Sequence, residues 1–309
     1  MIVEAEADSQ ARHRAYWLAA RGAQQMDLAL RFAAAAHSRG LRVLALMGIS
    51  IASELYGGVE NRPMADVDFL VVDTPQFGAV VDLARSLEME EIGASDHALV
   101  FKEASSGVVL ELHVSLTACP GLFPVDHDAL WQRRAEVAGT SMQRLSNEDL
   151  VVHLALHTAF QHAFAANTYH YGDFERAWSA LHVDLDRVLT SASECGALEA
   201  LSAMALASAR VGHDAPCLSR LLSEVRTHCP AALARWLESR PRMPPPVSIS
   251  SLAFVRYQLA PSKWGYLTKT LLPKTIPGRT LTSSGTWTRL SRLVSAALTS
   301  PAREHRPPR

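Results

Sequence analysis

The sequence predicts an α+β protein, with a small β-sheet and flanking helices in its first half, an all-α second half and a basic C-terminal tail. Three observations carry this reading. Before residue 145, short β-branched and apolar runs alternate with segments of helical apolar spacing. After Leu145, Ala- and Leu-rich stretches keep helical spacing with no strand-like run between them. Beyond Arg240 the chain turns proline-rich and then basic. The domains expected from these shifts are 1–145, 146–240 and 241–309.

Composition bounds the function classes. The 309 residues are 48% hydrophobic and 20% charged, ordinary for globular chains and enough for about two domains. A formal net charge of -1 gives the whole chain no field that would gather nucleic acid or membrane. Cys119, Cys195, Cys217 and Cys229 form no Cys-x-x-Cys pair and no zinc-ligand set, so they read as free thiols in a reducing compartment. The start, Met1 to Asp8, is acidic and lacks the basic-then-apolar pattern of a signal peptide. No apolar run reaches the ~20 residues of a membrane span. A cytoplasmic protein is the expectation.

The elements follow in order. Ser9 to Ser38 reads as one long Ala-rich helix with a possible break at Gly22, ended by Gly40. Leu41 to Met47 is a short strand, Gly48 a turn, and Ile49 to Tyr56 a helix closed by Gly57-Gly58. Amides at the start of such a helix point outward with partial positive charge, which suits a phosphate, and a glycine there permits close approach; a single glycine at such a turn is also simply a turn. Pro63 bars a helix before Val67 to Val72, a β-branched strand. Thr74-Pro75 opens a helix to about Leu87. Two strands follow, at Ala98 to Lys102 and Val108 to Val114, around the turn Ser105-Ser106-Gly107.

Asp66 and Asp68 are the feature around which the first half is arranged. Alternate strand residues share a face, so these two like charges point the same way. A divalent cation between them would relieve their repulsion. An exposed strand start whose aspartates serve only the turn is the plainer alternative. On the strand at Val108 to Val114, Glu111 and His113 share one face while Leu110 and Leu112 occupy the other. Glu111 would oppose the aspartates if the two strands are neighbours.

The second half opens with Ser146-Asn147-Glu148-Asp149, an N-cap with acids in the first turn, and a helix to about Ala166. On it His153, His157 and Gln161 form an i, i+4, i+8 stripe. The residues between the histidines are Leu154, Ala155 and Leu156 rather than the zinc-protease pattern, and no third ligand is evident, so structural or substrate-facing roles outweigh a metal. Asp173 lies downstream in a segment rich in aromatic residues. Arg240 to Pro246 is a linker, and helices are expected at Leu252 to Leu259 and Trp287 to Leu298. The tail's cations include Arg256, Lys263 and Lys269, read as a wrapping segment ahead of a nucleic-acid contact.

These residues together resemble the polymerase-β-type nucleotidyltransferase superfamily, and more closely its bacterial uncharacterised members. The likeness rests on Leu46 to Tyr56, on Arg62 to Val71 with Asp66 and Asp68, and on Leu110-Glu111-Leu112-His113. Glu148 to His157 with Asp173 adds a weaker echo. The resemblance implies a small mixed β-sheet core. It implies transfer of a nucleotidyl group from an NTP, ATP foremost, to a hydroxyl acceptor such as a peptide or sugar. Asp66, Asp68 and Glu111 would be catalytic and hold Mg²⁺ or Mn²⁺. Gly48, Ser50 and Arg62 would bind nucleotide, and His113, His153, His157 and Asp173 the acceptor. Met47 stands where relatives carry lysine, and Ile49 where they carry a small residue. These departures motivate a second reading, a scaffold or binding protein on the same fold. A third, a nucleic-acid modifier, rests on the tail, and the near-neutral charge ranks it last.

Overall fold

The computed structural model describes residues 2–137, 139–165, 168–211, 216–240, 248–271, 274–277 and 279–281. The chain divides into two compact units, Met1–Val114 with His127–Ser146 and Ser115–Asp126 with Asn147–Arg309.

The first unit begins with helix α1 (Ile2–Ser38), longer than expected and unbroken at Gly22. That glycine marks a close approach instead. A Cβ on it would lie 2.9 Å from the carbonyl oxygen of Val59, in the 3-10 turn Val59–Asn61. Strand β1 (Val43–Leu46) runs directly into α2 (Met47–Tyr56), which Gly57 ends in the left-handed conformation. The reversal from strand to helix falls on Met47, at φ 51°, and not on Gly48 as expected. A non-glycine side chain is thus held in a sparsely populated region at the mouth of this helix.

Strand β2 (Val67–Val71) follows, then a 3-10 turn at Thr74–Gln76 and α3 (Phe77–Ser86). Strand β3 (Met89–Ala94) was not evident in the sequence. Its paired glutamates and Gly93 suit an exposed edge strand with a bulge between Glu91 and Gly93. Strands β4 (Ala98–Glu103) and β5 (Val109–His113) lie where expected. Then come α4 (His127–Arg133) and two-residue strands β6 (Ala135–Glu136) and β7 (Gln143–Arg144), too short to announce themselves by periodicity.

The sheet order is β3-β4-β5-β2-β1-β7-β6. It is mixed: β2 runs parallel to β5 and β1 parallel to β7, and the other pairs are antiparallel. One face packs on α1. Val67, Phe69, Phe101, Leu110 and Leu112 are fully buried, and Phe69 meets Phe32 of α1 with ring centroids 5.0 Å apart. Arg31 of α1 reaches Glu103 at 2.6 Å on the same side. Buried Arg144 ties β7 to Glu54 of α2 at 2.9 Å. The opposite face, at the start of β2, is left for the carboxylates.

The second unit is helical, and the fold class of the whole is α+β. Helix α5 (Asn147–Leu156) gives way to a π-helical turn at His157–Gln161, so the helix expected to Ala166 ends early. Then follow α6 (Thr168–Ala180), α7 (Leu185–Glu194), α8 (Leu198–Val211), α9 (Pro216–Val225) and α10 (Ala231–Ser239). Helices α11 (Ile249–Leu259) and α12 (Lys263–Leu271) and an antiparallel pair, β8 (Lys274–Ile276) with β9 (Arg279–Leu281), complete it. Segment 115–126 belongs here: Ala118 donates its N–H to Gln161, and Phe123 meets Phe160 edge-on. Arg256 donates to the carbonyl of Phe160, Lys269 to that of Pro120, and Lys263 to those of Gln258 and Ala260. These cations satisfy main-chain oxygens rather than forming a bare basic surface. The linker at 241–246 and the helix expected at Trp287–Leu298 lie outside the described residues. Among the described residues no helix is long and apolar enough to cross a membrane.

Candidate active site

Sheet register assembles the acidic cluster. Parallel pairing sets Asp68 beside Glu111 and Leu70 beside His113. Paired residues in a sheet share a face, so Asp68, Glu111 and His113 converge on the side away from α1. Asp66 lies just before β2 on the same alternation. Antiparallel pairing of Leu46 with Asp68 carries the chain entering α2 past this end of the sheet. The positive end of α2 therefore lies at the carboxylate end of β2.

The distances are short. His113 Nε2 is 3.0 Å from Asp68 Oδ1 and 3.5 Å from Glu111 Oε2. One donor atom from each of Asp68, Glu111 and His113 falls within 4.8 Å of the others. Where Asp68 is ionised, the imidazole donates the hydrogen of the His113–Asp68 bond.

Burial dominates the electrostatics. It raises Asp66 to about 6, with the charge of Asp68 adding to the rise and His113 and Arg62 opposing it. It raises Asp68 to about 7 against the pull of His97 and Arg62. Glu111 is raised by burial and by both aspartates, and His113 is lowered by burial. Carboxyls are thus crowded where ionisation is disfavoured, an arrangement that a cation would relieve.

The remaining sheet residues have defined places. Arg62 is buried, donates to the carbonyl of Pro63 at 2.5 Å, and its guanidinium lies against Gly48. A Cβ on Gly48 would meet Met64 Cγ at 2.6 Å and Arg62 Nη1 at 3.3 Å, so this glycine is needed for packing. Ser50 is buried, and its hydroxyl donates to the carbonyl of Met47 at 2.7 Å. His97 escaped the sequence reading. Its ring lies 5.2 Å from that of His113, its Nδ1 is 2.8 Å from Asp96 Oδ1, and its charge acts on Asp68 and Glu111. The available signal was its position immediately before β4, whose Ala98 pairs with His113.

In the helical unit, His153 and Asp173 are buried at 2% and 0% exposure, so both sit within that unit's interior. His157 opens the π turn and is half-buried. Its ring lies 5.9 Å from that of His153, 4.6 Å from His162 and 5.4 Å from His170. His162 and His170 were also missed, His162 because α-helical spacing points it away from His157 and His170 because it comes from a separate helix, α6. Burial, aided by the charges of His170 and Arg256, lowers His162 to about 4.

Comparison with known proteins adds a family. The family described as uncharacterised nucleotidyltransferase matches residues 2–212. No curated protein matches the chain in sequence. Among solved structures, the solution structure of the antibiotic-resistance factor ANT(2'')-Ia is similar over 55% of this chain and 90% of its own, at 16% identity and TM-score 0.42. A crystal structure of ANT(2'')-Ia in complex with adenylyl-2''-tobramycin is similar over 55% and 95%, at 16% identity and TM-score 0.42. An antigenic nucleotidyltransferase-like protein from Paracoccidioides brasiliensis is similar over 66% and 92%, at 16% identity and TM-score 0.34.

Proposed function

The chain belongs to the uncharacterised nucleotidyltransferase family, and from that premise we propose that it transfers a nucleotidyl group from an NTP, ATP foremost, to a hydroxyl of a peptide or sugar. The observation that carries this reading is the registered pair Asp68 and Glu111, with Asp66 beside it, on one partly buried sheet face.

The donor set fits a hard divalent cation. Asp66, Asp68 and Glu111 supply carboxylate oxygens, which suit Mg²⁺ or Mn²⁺, and their crowding favours gaining a positive charge. When bound, such an ion would neutralise charge on the phosphate oxygens. The chain's own residues divide the other tasks. His113 holds Asp68 in orientation through its 3.0 Å hydrogen bond. Arg62 supplies positive charge beside Gly48 at the start of α2, whose first amides would meet phosphate. Glu111, set beside Asp68 by the strand register, would accept the acceptor hydroxyl's proton. The hydroxyl oxygen then bonds to the α-phosphorus while the bond to pyrophosphate breaks, and pyrophosphate leaves.

One observation favours a second reading, a binding or scaffold protein with weakened chemistry. Ser50 turns its hydroxyl into its own helix, and Met64 fills the space beside Gly48. Both readings are tested together. With Mg²⁺ and α-labelled NTPs, the first expects pyrophosphate release and label on a hydroxyl-bearing peptide or sugar. Failure to bind any NTP at millimolar concentration in the presence of metal overturns it and leaves the second.

A further inference from the structure

We propose that His157, His162 and His170 form a second metal site, in the helical unit, for a transition-metal ion of the Zn²⁺ class. It stands on different residues and different chemistry from the carboxylate cluster, and it does not depend on nucleotidyl transfer.

Three imidazoles are brought together from two elements. His157 opens the π turn, His162 closes it, and His170 lies in the first turn of α6. One ring nitrogen from each falls within 4.8 Å of the others. The ring centroids are 4.6 Å apart for His157 and His162, 4.7 Å for His162 and His170, and 5.4 Å for His157 and His170. Tetrahedral zinc with Zn–N of about 2.0–2.1 Å separates its nitrogens by roughly 3.3 Å, within reach of side-chain rotation alone.

The backbone is built to bring them together. Residues five apart on an α-helix point in different directions. In a π turn, where hydrogen bonds run i to i+5, His157 and His162 fall on one side. Ala163 and Phe164 then take φ of 46° and 60°, two consecutive non-glycine residues in the left-handed region. Such conformations persist where the surrounding structure imposes them, and they concentrate at functional sites. Arg256 fixes the π turn from outside by donating to the carbonyl of Phe160 at 2.8 Å.

The donor chemistry selects the ion. Imidazole suits zinc, copper, nickel and cobalt, whereas Mg²⁺ prefers oxygen. All three histidines are half-buried, and three imidazoles leave one position of a tetrahedral ion for a further ligand. Three protein ligands with one open position is the arrangement of zinc sites that act on a ligand rather than merely brace a fold. Asp173, i+3 from His170 on α6 and fully buried, places a carboxylate on the same helical face.

The test uses the full chain. Metal-stripped protein is titrated with Co²⁺, whose visible absorption reports nitrogen coordination, and with Zn²⁺ followed by elemental analysis after desalting. The titration is run on the chain carrying Asp66→Asn and Asp68→Asn, in which the carboxylate site is disabled, so that loss of nucleotidyl transfer and loss of this site are separable. The expected result there is about one ion per chain with a nitrogen-coordinated Co²⁺ spectrum, and His162→Ala or His170→Ala added to it weakens affinity by about tenfold or more. Where an alanine variant does not fold, His170→Gln, checked by circular dichroism, replaces it. No nitrogen-coordinated Co²⁺ spectrum in the chain carrying Asp66→Asn and Asp68→Asn, or an unchanged one in its folded His162 and His170 variants, overturns the proposal.

Discussion

The acidic cluster and the histidine cluster are built by opposite means. On the sheet, strand alternation and register fix Asp68, Glu111 and His113, each on regular strand backbone. In the helical unit, an irregular π turn and two left-handed residues bring His157, His162 and His170 together. Regular structure places side chains by arithmetic that a reader of the sequence can do. Irregular structure places them by departures from that arithmetic, held by packing from elsewhere.

Breaking the sheet cluster should have the largest effect. Asp66→Asn or Asp68→Asn is expected to lower nucleotidyl transfer by about 10²–10³-fold or more, with the melting temperature of the metal-free protein at pH 7 maintained or raised. Label transfer and calorimetry together check this. Retained activity would mean that the carboxylates serve the fold only.

The next effect is a pH dependence on the order of a few kcal/mol that the two aspartates impose on the metal-free protein. Their folded-state values, about 6 for Asp66 and about 7 for Asp68, lie above the unfolded value of 3.8. The folded state therefore holds more protons between those limits. Stability is favoured below about pH 4 and lost as pH rises toward 7, as far as these groups are concerned. Added Mg²⁺ should restore it, increasingly toward pH 7, as read from melts at fixed ionic strength. A metal response that does not vary with pH would contradict the linkage.

A smaller effect is expected at His113. His113→Ala removes the bond to Asp68 and should weaken metal-dependent activity by about tenfold, and His113→Gln should recover part of it. The smallest concerns the support of the sheet. Gly22→Ala gains about 1 kcal/mol of helix propensity, yet its Cβ would meet the Val59 carbonyl at 2.9 Å. A net loss of about 1 kcal/mol is expected from denaturant melts. A net gain would show that the turn before Arg62 can yield.

What was legible follows the same division. The Asp66-Val67-Asp68 strand and the strand carrying Glu111 and His113 were readable because period-2 alternation survives in a short run, and β-branched residues mark it. Their adjacency is a fact of topology, which alternation alone does not give. Strand β3 was hidden by Glu90, Glu91 and Gly93, which an exposed edge tolerates. The two-residue strands β6 and β7 exist only through pairing. The sharp turn was assigned to Gly48 because glycine is the usual residue there, whereas Met47 takes it. His162 was invisible because the extra residue of a π turn shifts it off the helical stripe, and His170 because it comes from a separate helix, α6.

The path of the chain has a consequence of its own. It leaves the sheet unit after Val114, returns at His127 to supply α4, β6 and β7, and leaves again after Ser146. The units are therefore joined by three covalent crossings, not one. During synthesis the sheet cannot be completed until its last strand emerges some thirty residues after β5, with a piece of the other unit already made. A single protease cut at any one crossing would leave the two halves tethered, so the protein cannot be divided into independent fragments by one nick.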